Sequence, residues 1–300
     1  MSKILVIGSI NMDLVSKVES MPQVGETVLG KGFAQIPGGK GANQAVAMSR
    51  LGADVTMIGK VGDDAFGREL KKGLENDNID TTGIHIENGI STGIAIITVD
   101  ESANNSIIVN LGANFSVTKE FIDENIEKIE SADIVVLQLE IPEESVRHAL
   151  EISKRLGKYT ILNPAPARPL GDEIIKNVDL LVPNETELEL ISKMSAKDES
   201  EVKLAADSLI QKGIKEIIVT LGENGCMHLG EGFCRKYDAI KVEAVDTTAA
   251  GDSFIAGVAS YIANGKAMDE AIEFATKVAS VTVTREGAQS SLPHINEIEL

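Results

Sequence analysis

The chain has 300 residues, 43% of them hydrophobic and 25% charged, with 28 basic against 46 acidic side chains and a net charge of −18. That is the composition of a globular protein of one large domain or two unequal ones, and it excludes a largely disordered chain. So acidic a chain suits neither a nucleic-acid backbone nor an anionic membrane, and no apolar run approaches the ~18 residues of a membrane span. A small anionic ligand stays open, because backbone amides and a bound cation supply positive field locally. The opening residues form too short an apolar stretch for a secretory signal, so a cytoplasmic protein is expected. Cys226 and Cys234 are too few for a disulfide scaffold and read as structural thiols. His85, His148, His228 and His294 are scattered, which gives a zinc site or a Ser-His-Asp triad little to stand on.

Lys3–Gly8 reads as a first strand. Residues 14–35 hold strand-like pieces around Pro22-Gln23-Val24-Gly25-Glu26, with no helix. A helix is predicted over Gly41–Leu51, a strand over Asp54–Ile58 and a helix over Asp64–Leu74. Thr92–Val99 and Asn105–Asn110 flank a turn at Asp100–Asn104, a loose hairpin signal. Val117, Phe121, Ile122, Ile126 and Ile129 recur at helical spacing and predict a helix over Val117–Ile129. Pro142 opens another, with Glu143 and Glu144 at the positive end of its dipole. Asp133–Leu137, Tyr159–Leu162, Leu180–Val182 and Ile217–Thr220 are continuous apolar or β-branched runs, as in strands buried on both faces of a parallel sheet. Asp252–Asn264 reads as a late helix. The expected fold is α/β, a three-layer mostly parallel sheet between helices. It forms one domain over residues 1–300, with a small separate β-sheet from about 14–36 and 91–112.

Five stretches carry candidate chemistry. Pro37–Ala45 sets three glycines around Lys40 at a helix start, a polar-ligand or anion site; the Walker A spacing is absent. A loop-to-helix turn with a solvated lysine fits as well. Val245–Phe254 leads small residues into a helix, so the N–H groups of Ala249, Ala250, Gly251 and Asp252 form an anion hole. Asp252 there is either a general base toward a hydroxyl or a helix cap. Pro183–Glu187 follows a strand and offers acids to water around Mg²⁺, or simply a charged first helical turn. Thr220–Gly225 is a glycine turn at a strand end, where open α/β sheets place ligands, or an ordinary hairpin turn. Asn11, Asp13 and Glu140 follow strands and could hydrogen-bond a polyol, or be solvated loop residues.

All five fall at predicted strand carboxyl ends or helix N-termini. Together they make the sequence resemble the ribokinase-like family of carbohydrate kinases over essentially its whole length. The resemblance is carried by Gly38-Gly39-Lys40-Gly41-Ala42-Asn43 and by the Asp-Thr-x-x-x-Gly-Asp pattern of Asp246–Asp252. Ser9-Ile10-Asn11-Met12-Asp13, Gln138-Leu139-Glu140 and Thr247–Ala250 add detail, and Ser253 stands where Thr is common. The resemblance implies ATP-dependent phosphorylation of D-ribose at O5, with Asp252 as base and Mg²⁺ and K⁺ as cofactors. Asn11, Met12, Asp13, Gly39, Lys40, Gly41, Ala42, Asn43 and Glu140 would line the sugar site. Asn184, Thr220, Leu221, Gly222, Glu223, Asn224, Gly225, Gly251, Asp252 and Thr276 would line the nucleotide site, with Glu187 near Mg²⁺-bound water. Asp246, Thr248, Thr282, Arg285, Gly287 and Ser291 would surround K⁺, largely through backbone oxygens. The small sheet would be a lid and the surface of a homodimer.

Three rivals remain. A sister kinase would act on another sugar or on a nucleoside, and a nucleoside would need an aromatic platform, poorly supplied with Trp absent and only Phe 7 and Tyr 3. A nicotinamide oxidoreductase would need Gly-x-Gly-x-x-Gly after the first strand, where Gly8-Ser9-Ile10-Asn11 stands. A non-catalytic sugar binder would not be expected to keep both Lys40 and Asp252.

Overall fold

The computed structural model describes residues 2–102 and 104–299. Met1 and Leu300, at the ends of the expected domain, and Ala103, in the expected turn, lie outside the described residues. The strands are β1 (Lys3–Ile7), β2 (Asn11–Lys17), β3 (Gly32–Gly38), β4 (Asp54–Gly62), β5 (Asp80–Glu87), β6 (Gly93–Val99), β7 (Asn105–Asn110) and β8 (Ile134–Leu137). They continue with β9 (Tyr159–Leu162), β10 (Leu180–Leu181), β11 (Glu216–Thr220), β12 (Cys226–Gly230) and β13 (Phe233–Tyr237). The helices are α1 (Lys40–Arg50), α2 (Ala65–Asn76), α3 (Lys119–Glu124), α4 (Ile126–Ser131), α5 (Glu143–Arg155), α6 (Asp172–Ile175), α7 (Glu185–Ser192), α8 (Glu199–Ile210), α9 (Ala250–Ala263) and α10 (Met268–Thr282).

Nine strands form the main sheet in the order β13-β12-β11-β10-β9-β8-β1-β4-β5. It is parallel from β5 through β11, and the β11-β12-β13 edge is antiparallel. Alternation along β1 splits the core. Ile4 and Val6 pack with α1, α2, α9 and α10 on one face, and Leu5 and Ile7 with α3, α5 and α8 on the other. The chain steps from β1 to β4 and β5, then returns to β1's other side for β8. The β1/β8 boundary is therefore the topological switch point, where a crevice opens at the carboxyl ends of the strands.

A second sheet of four strands runs β3-β2-β6-β7, with β2 parallel to β6 and the outer pairs antiparallel. Its strands begin at Asn11 and end at Gly38, further toward the main sheet than the expected 14–36. Other expectations shift too. The helix expected over Val117–Ile129 is two, α3 and α4, because Asn125 leaves the helical conformation and its side-chain amide donates to the Phe121 carbonyl at 2.9 Å. Val117 closes a 3-10 turn ahead of them. Pro142 precedes the first residue of α5, and α9 begins two residues before Asp252. Strands β5 and β13 and helix α10 carry no earlier expectation, while β12 follows the hairpin turn that is one alternative for Thr220–Gly225.

Candidate active site

The crevice is built where β1 and β8 end. Gly8 and Gly41 meet there: a Cβ on Gly41 would lie 2.8 Å from the Gly8 Cα, so only glycine lets α1 start against the strand end. Gly39, at φ 88, turns the chain into α1. Glu140, just after β8, accepts from the Ser9 hydroxyl at 2.5 Å and from the Lys40 N–H at 3.0 Å through one oxygen. The Ser9 hydroxyl also takes the Gly41 N–H, and the Ser9 carbonyl takes the Ala42 N–H. The amides of Gly41 and Ala42 are thus spent inside the protein. Met12 is fully buried in the core, so its side chain is not part of the site. The corrections at Gly41 and Ala42 share one cause, the tight seating of α1 on β1, whereas Met12 lies on β2 with its side chain in the core.

The polar side chains of the group converge. Asn11 is buried, its carbonyl oxygen accepting from Asn114 at 2.7 Å, which leaves its amide as a donor. Asn43 and Gln44, on the first turn of α1, donate to the two oxygens of Asp252 at 3.1 and 2.9 Å. Asp252 is buried at the start of α9. The Asp13 carboxyl is pushed up to about 7 by burial first, then by Glu140 and Asp252, with Lys40 opposing. Burial pulls the Lys40 ammonium down, but Asp252, Glu140, Glu187 and Asp13 outweigh it and hold Lys40 above the ordinary lysine range. One cation therefore sits among four carboxyl groups.

Above α9, a cleft of about 190 Å³ runs from Lys40 and Asp252 past Thr247, Ala249, Ala250 and Gly251 to Asn184, Glu187 and Thr220. Ala249 is left-handed at φ 61, an uncommon conformation for a residue with a side chain. The Ala250 N–H is turned back to the Thr247 carbonyl at 3.2 Å, so it leaves the expected anion hole. No intramolecular acceptor takes the N–H of Ala249, Gly251 or Asp252 among the described residues, and these three remain as donors at the helix start.

A family model for pfkB family carbohydrate kinases matches residues 1–295. A ribokinase of Haemophilus influenzae is 40% identical over 288 residues, covering 96% of this chain and 94% of its own. A deoxyribokinase of Salmonella typhi is 40% identical over 295 residues, 98% of this chain and 96% of its own. The structure of an Arabidopsis thaliana ribokinase complexed with ribose and ATP matches with a TM-score of 0.93 at 31% identity, covering 98% of this chain and 96% of that one. The chain belongs to the pfkB family of carbohydrate kinases.

In this kinase Asn184 and Glu187 form a reciprocal cap on α7: the Asn184 side chain accepts from the Glu187 N–H at 2.8 Å, and the Glu187 carboxylate from the Asn184 N–H at 2.9 Å. The stretch is thus a charged, capped first helical turn, and that turn lines the cleft. Burial pushes the Glu187 carboxyl up, against the Asn184 N–H and Lys40. Thr220 bridges to Asn184, and Leu221, Gly222, Glu223, Asn224 and Gly225 make the tight hairpin into β12. Leu221 is buried in the core, while Glu223 and Asn224 are exposed. Neither this turn beyond Thr220 nor Thr276, whose hydroxyl donates to the Ile272 carbonyl, lines the cleft.

Asp246 joins two loops, accepting from the Thr248 N–H at 2.8 Å and the Gly287 N–H at 2.9 Å. Burial would raise its carboxyl, but these hydrogen bonds hold it below the usual range. Thr282 and Ser291 are buried with their hydroxyls donating to Val278 and Ala288 carbonyls, and the Arg285 guanidinium is turned to Glu297. Asp246 brings a carboxylate to this junction, and oxygen is the donor type that hard cations take. Among the described residues no three His, Cys, Asp or Glu side chains converge as a metal cage. Ser9, Gln44, Asn114, Gln138 and Asn163 are site residues to which no role was expected. Ser9 and Gln138 lie within stretches that carry the resemblance and Gln44 within the glycine-rich one, whereas Asn114 and Asn163 carry no sequence signal.

Proposed function

We propose that this kinase phosphorylates D-ribose at O5, giving ribose 5-phosphate and ADP. Asn11, Asp13, Asn43, Lys40 and Glu140 hold the sugar hydroxyls, and the cleft from Asp252 to Thr220 holds ATP. The O5 oxygen attacks the γ-phosphorus while Asp252 takes the O5 proton. The bond to the β–γ bridging oxygen breaks, and ADP leaves with that electron pair. Phosphoryl transfer asks chiefly for positioning and charge stabilisation. Lys40 and the N–H groups of Ala249, Gly251 and Asp252 meet the developing charge. The observation that carries this reading is Asp252, buried at a helix start with free amides beside it and Lys40 in the same cleft.

Mg²⁺ would be held by the ATP phosphates and by water on Glu187, where it would neutralise phosphate charge. K⁺ would sit between Asp246, Thr248, Thr282, Arg285, Gly287 and Ser291 and steady the loop that carries the amides. The small sheet acts as a lid that keeps water from competing as acceptor. The protein works in the cytoplasm as a homodimer joined through those lids.

The test is ADP release by the purified chain over a panel of sugars that includes 2-deoxy-D-ribose and adenosine. It is run in KCl and in tetramethylammonium chloride at equal ionic strength. The highest kcat/KM is expected with D-ribose, with the product phosphate on C5 and faster turnover in KCl. A deoxyribokinase is as similar to this chain as the ribokinases are, so preference for 2-deoxy-D-ribose would overturn the substrate. Equal rates in both salts would remove the K⁺ site.

A further inference from the structure

We propose that Gln138 and Gln44 form an amide relay that fixes the orientation of Asp252, making both positioning residues for phosphoryl transfer; this rests on Asp252 being the base. The relay is anchored at two acceptor-only ends. The Asn163 amide donates to the Val182 carbonyl at 3.2 Å, so its oxygen faces Gln44. The Asp252 carboxylate accepts from Gln44 at 2.9 Å. Both N–H donors of Gln44 are committed, one to Asp252 and one to Asn163, so its oxygen points the other way. There it accepts from the Gln138 amide at 2.6 Å.

Gln44 and Gln138 are fully buried, and the Gln138 oxygen has no partner. A side chain kept only for packing would do better as an apolar residue, since an unpaired buried carbonyl is costly. The backbone makes room for this amide. A Cβ on Gly8 would lie 2.0 Å from the Gln138 oxygen. What Gln138 supplies is a lock. If Gln44 turned over, its carbonyl would face the Asp252 carboxylate, acceptor against acceptor. The Gln138 N–H₂ holds the other orientation, tying one Asp252 oxygen to Gln44. Asn43 reaches the second oxygen from the adjoining position, so each carboxylate oxygen is tied by one donor and keeps one further lone pair. Donors to an ionised carboxylate also lower its proton affinity. Lys40, Asp13 and Glu187, the charged groups that interact with Asp252, are untouched by substitution at either glutamine, as is Glu140 beside Lys40 and Asp13.

The test measures kcat, sugar KM and the pH dependence of kcat for Gln44→Met, Gln138→Met and the double variant, beside Asp252→Asn. Each glutamine variant is expected to lose ~10-fold in kcat, keep sugar KM within about 2-fold, and move the acid limb of kcat up by about half to one pH unit. The double variant is expected to lose no more than Gln44→Met, because the two act as one unit. An unmoved acid limb, or losses that multiply, would overturn the relay. Should Gln44→Met not fold, Gln44→Glu keeps the size and sets a second carboxylate against Asp252; a limb moved up by at least one unit is expected, and an unmoved limb refutes the relay. Near-wild-type turnover in Asp252→Asn would instead remove the base. An inactive Asp252→Asn beside unshifted glutamine variants rejects the relay alone.

Discussion

The surroundings of Asp13 favour its uncharged form below about pH 7. Its folded pKa of about 7 lies above the ordinary carboxylate value of 3.8. The folded state therefore binds more protons than the unfolded state between about pH 4 and 7, and Asp13 withdraws stability as pH rises through that window. A shift of about three units sets a ceiling of ~4 kcal/mol, reduced by whatever water reaches the group. Asp13→Asn is therefore expected to melt near the parent at pH 4–5 and higher than the parent at pH 8, while sugar binding weakens. Thermal unfolding across that range checks the sign; equal melting temperatures at pH 8 would refute it. At this scale Lys40, Asn43 and Asp252 were legible because glycine-rich helix starts announce themselves. Gln44 and Gln138 were not, since a buried amide makes sense only beside the partner that orients it, and Gln44 to Gln138 spans 94 residues.

The local signals that set elements are uneven. Asn184 caps α7 and ends the chain's bridge to Thr220, so one side chain both starts a helix and shapes the cleft. Asn184→Ala is expected to cost about 1 kcal/mol in urea unfolding, the usual loss for a removed cap. It is also expected to raise KM for ATP more than KM for the sugar, because Glu187 loses its anchor. Equal rises in both would detach this cap from the nucleotide side. Strands β8, β9 and β11 were legible as continuous apolar runs, being buried on both faces. β5 and β13 were not, because they are the sheet's edges and their residues are mixed: β13 reads Phe233-Cys234-Arg235-Lys236-Tyr237. Arginine and lysine there discourage further strand pairing. The break at Asn125 was hidden because the apolar spacing continues across it.

For the whole molecule, the unresolved balance lies in the small sheet. Every described residue of β7 is exposed, and Ile107, Ile108 and Val109 stand there beside Ile96 of β6. An apolar strand at a free edge is a place for another strand or sheet to join. Light scattering at micromolar concentration is expected to give twice the chain mass, and Ile107→Lys/Val109→Lys to give the chain mass. A monomeric parent would refute the dimer. The sheet order itself was only partly legible: parallel α/β layering follows from alternating elements, whereas the return of β8 to the far side of β1 depends on contacts across the chain.

That layout fixes when the protein becomes whole. Asn43 and Asp252 are hydrogen-bonded across 209 residues. At synthesis rates of roughly 5–20 residues per second, on the order of 10–40 seconds separate the two as the chain leaves the ribosome. Through that interval Asn11, Asp13, Lys40 and Asn43 already exist, Glu140 joins them about midway, and Asp252 is still missing. The inner face of α1, with Ala42, Ala45 and Val46, likewise has no α9 to cover it. A nascent chain thus carries a bare apolar helix that a chaperone can hold, and a message cut short before Asp252 yields a chain lacking α10 and nearly all of α9, the helices that cover that face.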